Sequence, residues 1–322
     1  MNFVHDDPDF DDLLRITANQ RRLSLGLVEK DYWVTHTLWA LHATGFEVWF
    51  KGGTSLSKGF SLIHRFSEDL DLKLDPGTVA LPAVSNWKSE GTQATSQRRA
   101  YFEALPTLAC VPGTSAVLDT DSADKHWFQA NVRVSYPARH RGDLGGVLRP
   151  FVLLEVGNAR VTPFVRRDMQ SFVHDELMRL GQLDDFADNR PKEVRCVHPL
   201  VTLLEKLDAL QRHVPRADRE PASFVRHYED AALIIAAEAT LPSLLDYPDV
   251  GALVTEMRKQ KQIAPPPRPD SLAFSLQPGA RTKAIRDAFA AIQPMFWGPR
   301  MTLDEATDSI RAWLERTPLP SG

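Results

Sequence analysis

Two aspartates that alternate with leucines are the residues of this sequence best suited to chemistry. Asp69 and Asp71 belong to the stretch DLDLKL, in which charged and apolar residues alternate strictly. Such alternation predicts a β-strand that carries both carboxylates on one face. Ionised carboxylates side by side repel each other unless a cation lies between them or one is protonated. Hard oxygen ligands on a strand suit Mg²⁺, which takes one or two protein carboxylates together with water and phosphate oxygens.

A pair of glycines precedes the aspartates. Gly52 and Gly53 follow a short apolar run at 46–50 and precede a segment for which we predict a helix over 54–63. Glycine lets the backbone approach a ligand closely, and a helix start presents N–H groups to an anion. Either motif alone is common and is usually structural. Their order predicts a phosphate site beside a metal site, which is the chemistry of a nucleoside triphosphate.

A third carboxylate, Glu155, interrupts the apolar run FVLLEVG. We expect this run to be the second arm of a β-hairpin, with a first strand over 127–136 and a cationic tip over 137–146. An unpaired charge there would cost on the order of several kcal/mol, and a bound metal would compensate it. Two alternatives stay open, because Glu155 could lie on a partly exposed edge strand or pair with Arg133.

The segment from Lys51 to Leu72 resembles the nucleotidyltransferase superfamily built on the DNA polymerase β-like core. Its sequences KGGTSLSK and RFSEDLDL are similar to the AbiEii/AbiGii toxin family, which includes the MenT-type toxins. Two further blocks match that family, EKLDAL around Lys206 and RHYEDAAL around Asp230. The resemblance therefore rests on three separated blocks, of which residues 51–72 are the most specific.

The resemblance implies a Mg²⁺-dependent nucleotidyltransferase with an NTP as substrate. It implies that the metal ligands are Asp69, Asp71 and Glu155. Catalytic roles fall to Asp69, Asp71, Lys206 and Asp230, of which Asp230 orders the site or assists proton transfer. Nucleotide contacts fall to Gly52, Gly53, Thr54, Ser55, Lys58, Arg65 and Lys206. On sequence alone Lys206 would be a surface lysine, and only the family block favours a nucleotide contact.

Two further expectations concern residues near these motifs. Ser67 lies two residues before Asp69, and on a continuing strand it would share the aspartates' face. We hypothesise that Ser67 contacts the γ-phosphate and that its phosphorylation would disturb metal and NTP binding. The charges of Glu29, Lys30 and Asp31 match the family's N-terminal signature, but we expect them on the exposed face of an amphipathic helix over 27–43.

The length of 322 residues predicts about two domains. We expect an α+β protein: a polymerase β-like nucleotidyltransferase mixed sheet with flanking helices, followed by an all-helical C-terminal lobe. Residues 1–162 would form the core lobe with its N-terminal helices, and 163–322 the helical lobe that completes the active-site cleft. Further helices are predicted over 168–181, 198–210, 224–234, 281–292 and 303–315.

Composition limits the class of protein. The formal net charge is −4, so a nucleic-acid contact would need a local basic patch. Cys110 and Cys196 have neither metal-ligand spacing nor a disulfide framework, which fits a reducing compartment. No run of about 18 apolar residues occurs, so we predict a cytoplasmic protein without a membrane partner.

The acceptor implied by the resemblance is RNA, namely the 3′ end of tRNA, whose modification would block translation. The protein would then be the toxin of a toxin–antitoxin or phage abortive-infection system, with a cognate antitoxin encoded nearby. Two other classes stay open. Transfer to a protein hydroxyl or a small molecule would fit a narrow cleft without a basic rim around 139–141. A non-catalytic NTP- or RNA-binding protein would fit a Glu155 that points away from the aspartates.

Overall fold

A seven-stranded mixed sheet carries the residues of interest. The computed structural model describes residues 1–67, 69–144, 148–264, 266–317 and 319–320. The strands are β1 (Glu47–Lys51), β2 (Asp69–Asp75), β3 (Ser115–Asp119), β4 (Gln129–Ser135), β5 (Val152–Gly157), β6 (Phe164–Arg167) and β7 (Val194–Val197). Their order in the sheet is β3-β4-β5-β2-β1-β7-β6. With the helices below, this architecture confirms the predicted α+β class.

Helices make up much of the remaining structure. They are α1 (Phe10–Arg21), α2 (Leu25–Thr44), α3 (Gly52–Lys58), α4 (Thr92–Leu108), α5 (Phe172–Leu180), α6 (Pro199–His213), α7 (Arg226–Ala236), α8 (Val250–Lys259), α9 (Leu272–Ser275), α10 (Ala280–Ala291) and α11 (Leu303–Arg316). Each of the five helices predicted after residue 163 is present. Within the described residues, no helix is both long and apolar enough to span a bilayer.

The chain divides into two compact units. The first comprises residues 1–59, 66–161 and 166–196, and the second comprises residues 60–65, 162–165 and 197–322. The short segment 60–65 of the N-terminal half thus belongs to the second unit. The domain boundary that we expect after residue 162 stays a prediction.

The alternation of apolar and charged residues along β2 determines which face of the central sheet is buried and which carries polar side chains. Leu70, Leu72 and Leu74 are buried, whereas the residues between them are half-buried. β2 pairs with β1 in antiparallel and with β5 in parallel orientation, so it is an inner strand. The period of two therefore places one apolar face against the core and leaves one polar face for chemistry.

The predicted hairpin is present, whereas the predicted helix after the glycine pair has different bounds. The antiparallel pairing of β4 with β5 confirms the predicted hairpin, although residues 145–147 of its tip lie outside the described residues. Helix α3 begins at Gly52, two residues earlier than predicted, and ends at Lys58 instead of residue 63. Gly59 follows it directly, and glycine is a poor helix former.

The expectation for Glu29, Lys30 and Asp31 is wrong. Their exposed fractions are 1%, 0% and 3%, so they lie in the interior. Glu29 accepts hydrogen bonds from the backbone N–H groups of Arg139 (2.9 Å) and His140 (3.0 Å). These bonds hold the segment after β4 against α2 and compensate the buried carboxylate.

The other two charges are compensated in a similar way. Lys30 donates from Nζ to the carbonyl of Arg149 at 2.8 Å. Asp31 accepts from the backbone N–H of Phe172 at 2.8 Å and forms an ion pair with Lys58 at 2.5 Å. Helix α2 is therefore a buried helix whose charged residues fix neighbouring segments, and not an amphipathic surface helix.

Candidate active site

One polar residue from each of four neighbouring strands forms a row across the sheet in the first unit. The register pairs Lys51 of β1 with Asp71 of β2, Asp71 with Glu155 of β5, and Glu155 with Asn131 of β4. We call these four residues the polar row. Together with Gln129 they line a cavity of about 170 Å³. The sheet thus brings two carboxylates from distant parts of the chain side by side.

Glu155 lies on an inner strand. Strand β5 is paired on both sides, with β2 and with β4, so the edge-strand alternative is wrong. The guanidinium of Arg133, the other suggested partner, stacks 4.7 Å from the ring centroid of Phe151 and lies 3.9 Å from a carboxylate oxygen of Asp119. Glu155 faces the same cavity as Asp71. Glu155 therefore lies beside Asp71, and its role as a third metal carboxylate stays a prediction.

The donor atoms of the cavity suit a hard cation. Asp71 and Glu155 supply carboxylates on adjacent strands, and Gln129 and Asn131 add amide oxygens to the same cavity. Mg²⁺ needs only one or two protein carboxylates, and parallel strands run about 4.8 Å apart. Among the described residues, however, no three His, Cys, Asp or Glu side chains are arranged closely enough to hold a metal ion. The three-carboxylate site that includes Asp69 therefore stays a prediction.

Gly52 is required by its surroundings. Its φ is +73°, a conformation that favours glycine, and a Cβ built there would collide with the carboxylate of Asp71. The missing side chain thus lets that carboxylate lie directly against the backbone at the start of α3. Thr54 secures the same junction, because its hydroxyl donates to the carbonyl of Asp69 at 2.7 Å.

Several predicted nucleotide contacts serve other interactions in this structure. Thr54 and Ser55 are buried, as is Gly53. Lys58 donates to the carbonyl of Gln170 at 3.4 Å in addition to its ion pair with Asp31. Ser67 lies two residues before the first residue of β2, so this strand does not assign its side chain to the aspartates' face. The phosphate contacts of these residues stay predictions.

The second unit holds a separate group of charges that we call the buried cluster: Arg65, Lys206, His227 and Asp230. The carboxylate of Asp230 accepts from Arg65 Nε at 2.8 Å and from Arg65 Nη2 at 2.7 Å. Lys206 donates to the same carboxylate at 2.7 Å and lies 3.4 Å from His227 Nδ1. Arg65, Lys206 and Asp230 are 1%, 7% and 0% exposed.

Burial and charge act against each other in this cluster. Burial alone would raise the pKa of Asp230, but the charges of Arg65 and Lys206 hold that pKa far below its usual range. Burial lowers the pKa of Lys206, and Asp230 opposes the shift. Burial, and then the charge of Lys206, lower the pKa of His227 well below its usual value. His227 is therefore neutral near pH 7 and accepts a hydrogen bond from the Lys206 ammonium.

Sequence reasoning missed the three polar side chains that line the cavity besides Asp71 and Glu155, namely Lys51, Gln129 and Asn131. The signal was present for two of them. Along β4 the polar residues Gln129 and Asn131 alternate with buried Ala130 and Val132. Because β4 and β5 form a hairpin, this period of two places both amides on the face of the sheet that carries Glu155.

Comparison with known proteins identifies the class and then the family. A family model described as "Nucleotidyl transferase AbiEii toxin, Type IV TA system" matches residues 39–316. The chain is accordingly a nucleotidyltransferase. It belongs to the AbiEii toxin family, and this membership implies a nucleotide substrate and an antitoxin partner. Membership of this nucleotidyltransferase family excludes the alternative of a non-catalytic NTP- or RNA-binding protein.

Two other comparisons add little. No curated protein matches the chain. Among solved structures, the crystal structure of JHP933 from Helicobacter pylori is similar, with 14% sequence identity, 88% of this chain and 92% of that chain covered, and a TM-score of 0.35. At that TM-score the likeness supports no conclusion about fold or activity.

Proposed function

We propose that this toxin is a Mg²⁺-dependent nucleotidyltransferase that transfers NMP from an NTP to the 3′ end of tRNA in the cytoplasm and so blocks translation. The observation that carries the proposal is the register of β2 and β5. It places Asp71 beside Glu155 at one cavity, with Asp69 two residues along the same face.

The carboxylates hold the metal in this proposal. Asp71 and Glu155, with Asp69, would bind Mg²⁺, which when bound stabilises charge on the transferred phosphoryl group and lowers the pKa of the attacking hydroxyl. In the transfer itself, the acceptor hydroxyl loses its proton to solvent and its oxygen bonds to the α-phosphorus, while the bond from that phosphorus to the pyrophosphate oxygen breaks and pyrophosphate leaves. Gly52 keeps the Asp71 carboxylate in place, because any side chain at this position would displace it.

The nucleotide contacts are proposed on the resemblance. They are Gly52, Gly53, Thr54, Ser55, Lys58, Arg65 and Lys206. Ser67 is proposed separately, on its position two residues before Asp69. For Lys58 and Arg65 the structure adds a condition, since each already forms an ion pair, with Asp31 and Asp230 respectively. A phosphate would have to share these cations with a carboxylate. The same condition holds for Lys206, which also forms an ion pair with Asp230.

The acceptor is proposed from the toxin family and from the chemistry. An RNA 3′ end offers the free hydroxyl that a nucleotidyl transfer needs, and tRNA is a molecule on which every round of translation depends. Transfer to a protein hydroxyl would require the same carboxylates, so the acceptor has to be determined directly.

The test is incubation of the purified protein with Mg²⁺, total tRNA and each α-³²P-labelled NTP in turn. We expect label on tRNA with one NTP. Asp71→Asn and Glu155→Gln should each lower the rate by at least about 100-fold, since Lewis-acid stabilisation is worth several kcal/mol. Asp75→Asn is the matched control. Asp75 lies on the same face of β2, outside the cavity and paired with Lys73, so its variant should keep its activity.

The outcomes separate the parts of the proposal. Label on protein instead of RNA would replace the acceptor and leave the carboxylate site intact. Equal activity of Asp71→Asn and Asp75→Asn would refute the role of the polar row.

A further inference from the structure

The second unit contains a pocket with an excess of positive charge. A cavity of about 560 Å³ lies where the C-terminal ends of α6 and α8 meet the segment 261–264. Its charged lining residues are Asp208, Arg212, Arg258 and Lys261, and Gln262, Ile263 and Ala264 complete it. We call this cavity the basic pocket.

The one carboxylate that lines the basic pocket, that of Asp208, already has hydrogen-bond partners in the protein. Asp208 accepts from Arg212 Nε at 2.7 Å and from the backbone N–H of Ala264 at 2.7 Å. Its side chain is 6% exposed. The negative charge of Asp208 is therefore compensated by Arg212 and by the backbone N–H of Ala264. It does not neutralise Arg258 or Lys261.

Arg258 and Lys261 supply uncompensated charge. Arg258 donates to a neutral acceptor, the carbonyl of Pro320, at 3.1 Å. Lys261 follows the end of α8 with a φ of +58° and is exposed. In the part of the chain that the structure describes, neither has a carboxylate within ion-pair distance. Two full positive charges thus line a cavity on a chain whose net charge is −4.

Helix capping explains only part of this arrangement. Cations in the last turn of a helix are stabilised by its dipole, which accounts for Arg258 in α8. Lys261 lies beyond the final residue of that helix, and the dipole effect does not extend far from the last turn. Capping also gives no reason for a cavity between the two cations and the end of α6.

We propose that the basic pocket binds the phosphodiester backbone of the RNA acceptor. Arg and Lys bind phosphate through charge and hydrogen bonds, and such contacts position an RNA without reading its sequence. An acidic protein that modifies RNA needs a local patch of this kind. The inference rests on the proposed RNA acceptor, but binding can be measured separately from transfer.

The test is binding of a fluorescein-labelled tRNA transcript, without NTP or Mg²⁺, by fluorescence anisotropy between about 50 and 200 mM KCl. The variant is Arg258→Gln with Lys261→Gln. Each lost phosphate contact removes about 0.7 to 0.9 from the slope of log K against log salt. We therefore expect weaker binding and a slope that is shallower by one to two in the double variant.

The control removes the same charge elsewhere in the same unit. Lys283→Gln with Arg286→Gln deletes two exposed cations that are neutralised by Asp287 (3.1 Å) and Asp304 (2.6 Å). This variant should bind tRNA with the wild-type slope, which separates a local site from a net-charge effect. Thermal melts establish that both variants are folded.

Three results would overturn the inference. Wild-type protein that does not bind tRNA, or a double variant with the wild-type slope, refutes it. Displacement of tRNA by inorganic phosphate, at an ionic strength at which KCl has no effect, would assign the basic pocket to a free phosphate ligand instead. The Asp71→Asn variant should bind tRNA normally and fail only in transfer, so the inference and the proposed function fail in different assays.

Discussion

The polar row and the buried cluster use charged residues in opposite ways. In the polar row, Asp71 and Glu155 are half-buried, carry charges of the same sign, and face a cavity. In the buried cluster, Arg65 and Lys206 surround Asp230 at hydrogen-bond distance in a nearly solvent-free environment. The polar row has one cation, Lys51, for its two carboxylates and lines a cavity, which suits a further cation. In the buried cluster, two cations of the chain surround a single carboxylate.

This difference distinguishes charged residues that suit a ligand from charged residues that stabilise the fold. Two neighbouring carboxylates beside a single lysine are stabilised further when a cation binds between them. A carboxylate that two cations of the chain already surround stabilises the folded protein instead. We therefore expect substitutions in the polar row to affect activity more than stability, and substitutions in the buried cluster to affect stability strongly.

Asp230→Asn should have the largest effect on stability. It leaves Arg65 and Lys206 buried without their counter-charge, and breaking a buried ion pair in this way costs about 3–5 kcal/mol. The measurement is urea unfolding at pH 7. By comparison, Glu155→Gln should change the free energy of unfolding by less than about 1 kcal/mol, since it removes one of two neighbouring like charges.

A surface pair provides the control for Asp230→Asn. Asp304 pairs with Arg286, and their side chains are 62% and 46% exposed. Asp304→Asn should cost less than about 1 kcal/mol. If Glu155→Gln destabilised the protein as much as Asp230→Asn, the contrast between the two regions would be lost.

The two regions also differ in how far the sequence predicts them. Strict alternation predicts the face shared by Asp69 and Asp71, because the side-chain period of a strand is local. The neighbour of Asp71 is not local, since it depends on β2 pairing with β5, which lies far along the chain. The cost of an unpaired charge in an apolar strand suggested a metal near Glu155, and the family resemblance suggested its place beside the aspartates, but neither predicts the pairing of β2 with β5.

Buried charges were the main failure of sequence reasoning. Lys30 and Asp31 look solvent-facing because charged residues are usually exposed. Their partners, the carbonyl of Arg149 and the backbone N–H of Phe172, belong to segments that only the fold brings near. The same holds for Arg65, whose bond to Asp230 no periodicity in either segment indicates.

Gly52→Ala should have a smaller effect on stability and a selective effect on activity. A residue other than glycine at positive φ costs about 1–2 kcal/mol, and the added Cβ would also displace the Asp71 carboxylate. Gly181→Ala is the matched control. Gly181 has a φ of +70°, and no described atom lies within 4 Å of an added Cβ. Both variants should lose similar stability in urea unfolding, but only Gly52→Ala should lose labelling activity. Equal activity of the two would show that Asp71 need not lie against the backbone.

The smallest effect that we predict is a pH dependence within the buried cluster. His227 is packed near Lys206, Asp230, Arg226 and Arg65, and its folded-state pKa is lowered by burial and by the Lys206 charge. The unfolded chain takes up a proton on this residue as the pH falls below about 6.5, and the folded protein resists it. Protons therefore favour unfolding, so this histidine makes stability decrease as the pH is lowered.

His227→Gln removes that proton uptake. We expect the stability advantage of the wild type over the variant to shrink steadily in urea unfolding from pH 7 to pH 5. His64→Gln, at an exposed position of the same unit, controls for the loss of an imidazole as such. A constant difference across this range would mean that His227 does not stay neutral beside Lys206. The buried cluster would then tolerate a third cation, and its contrast with the polar row would rest on packing and not on charge balance.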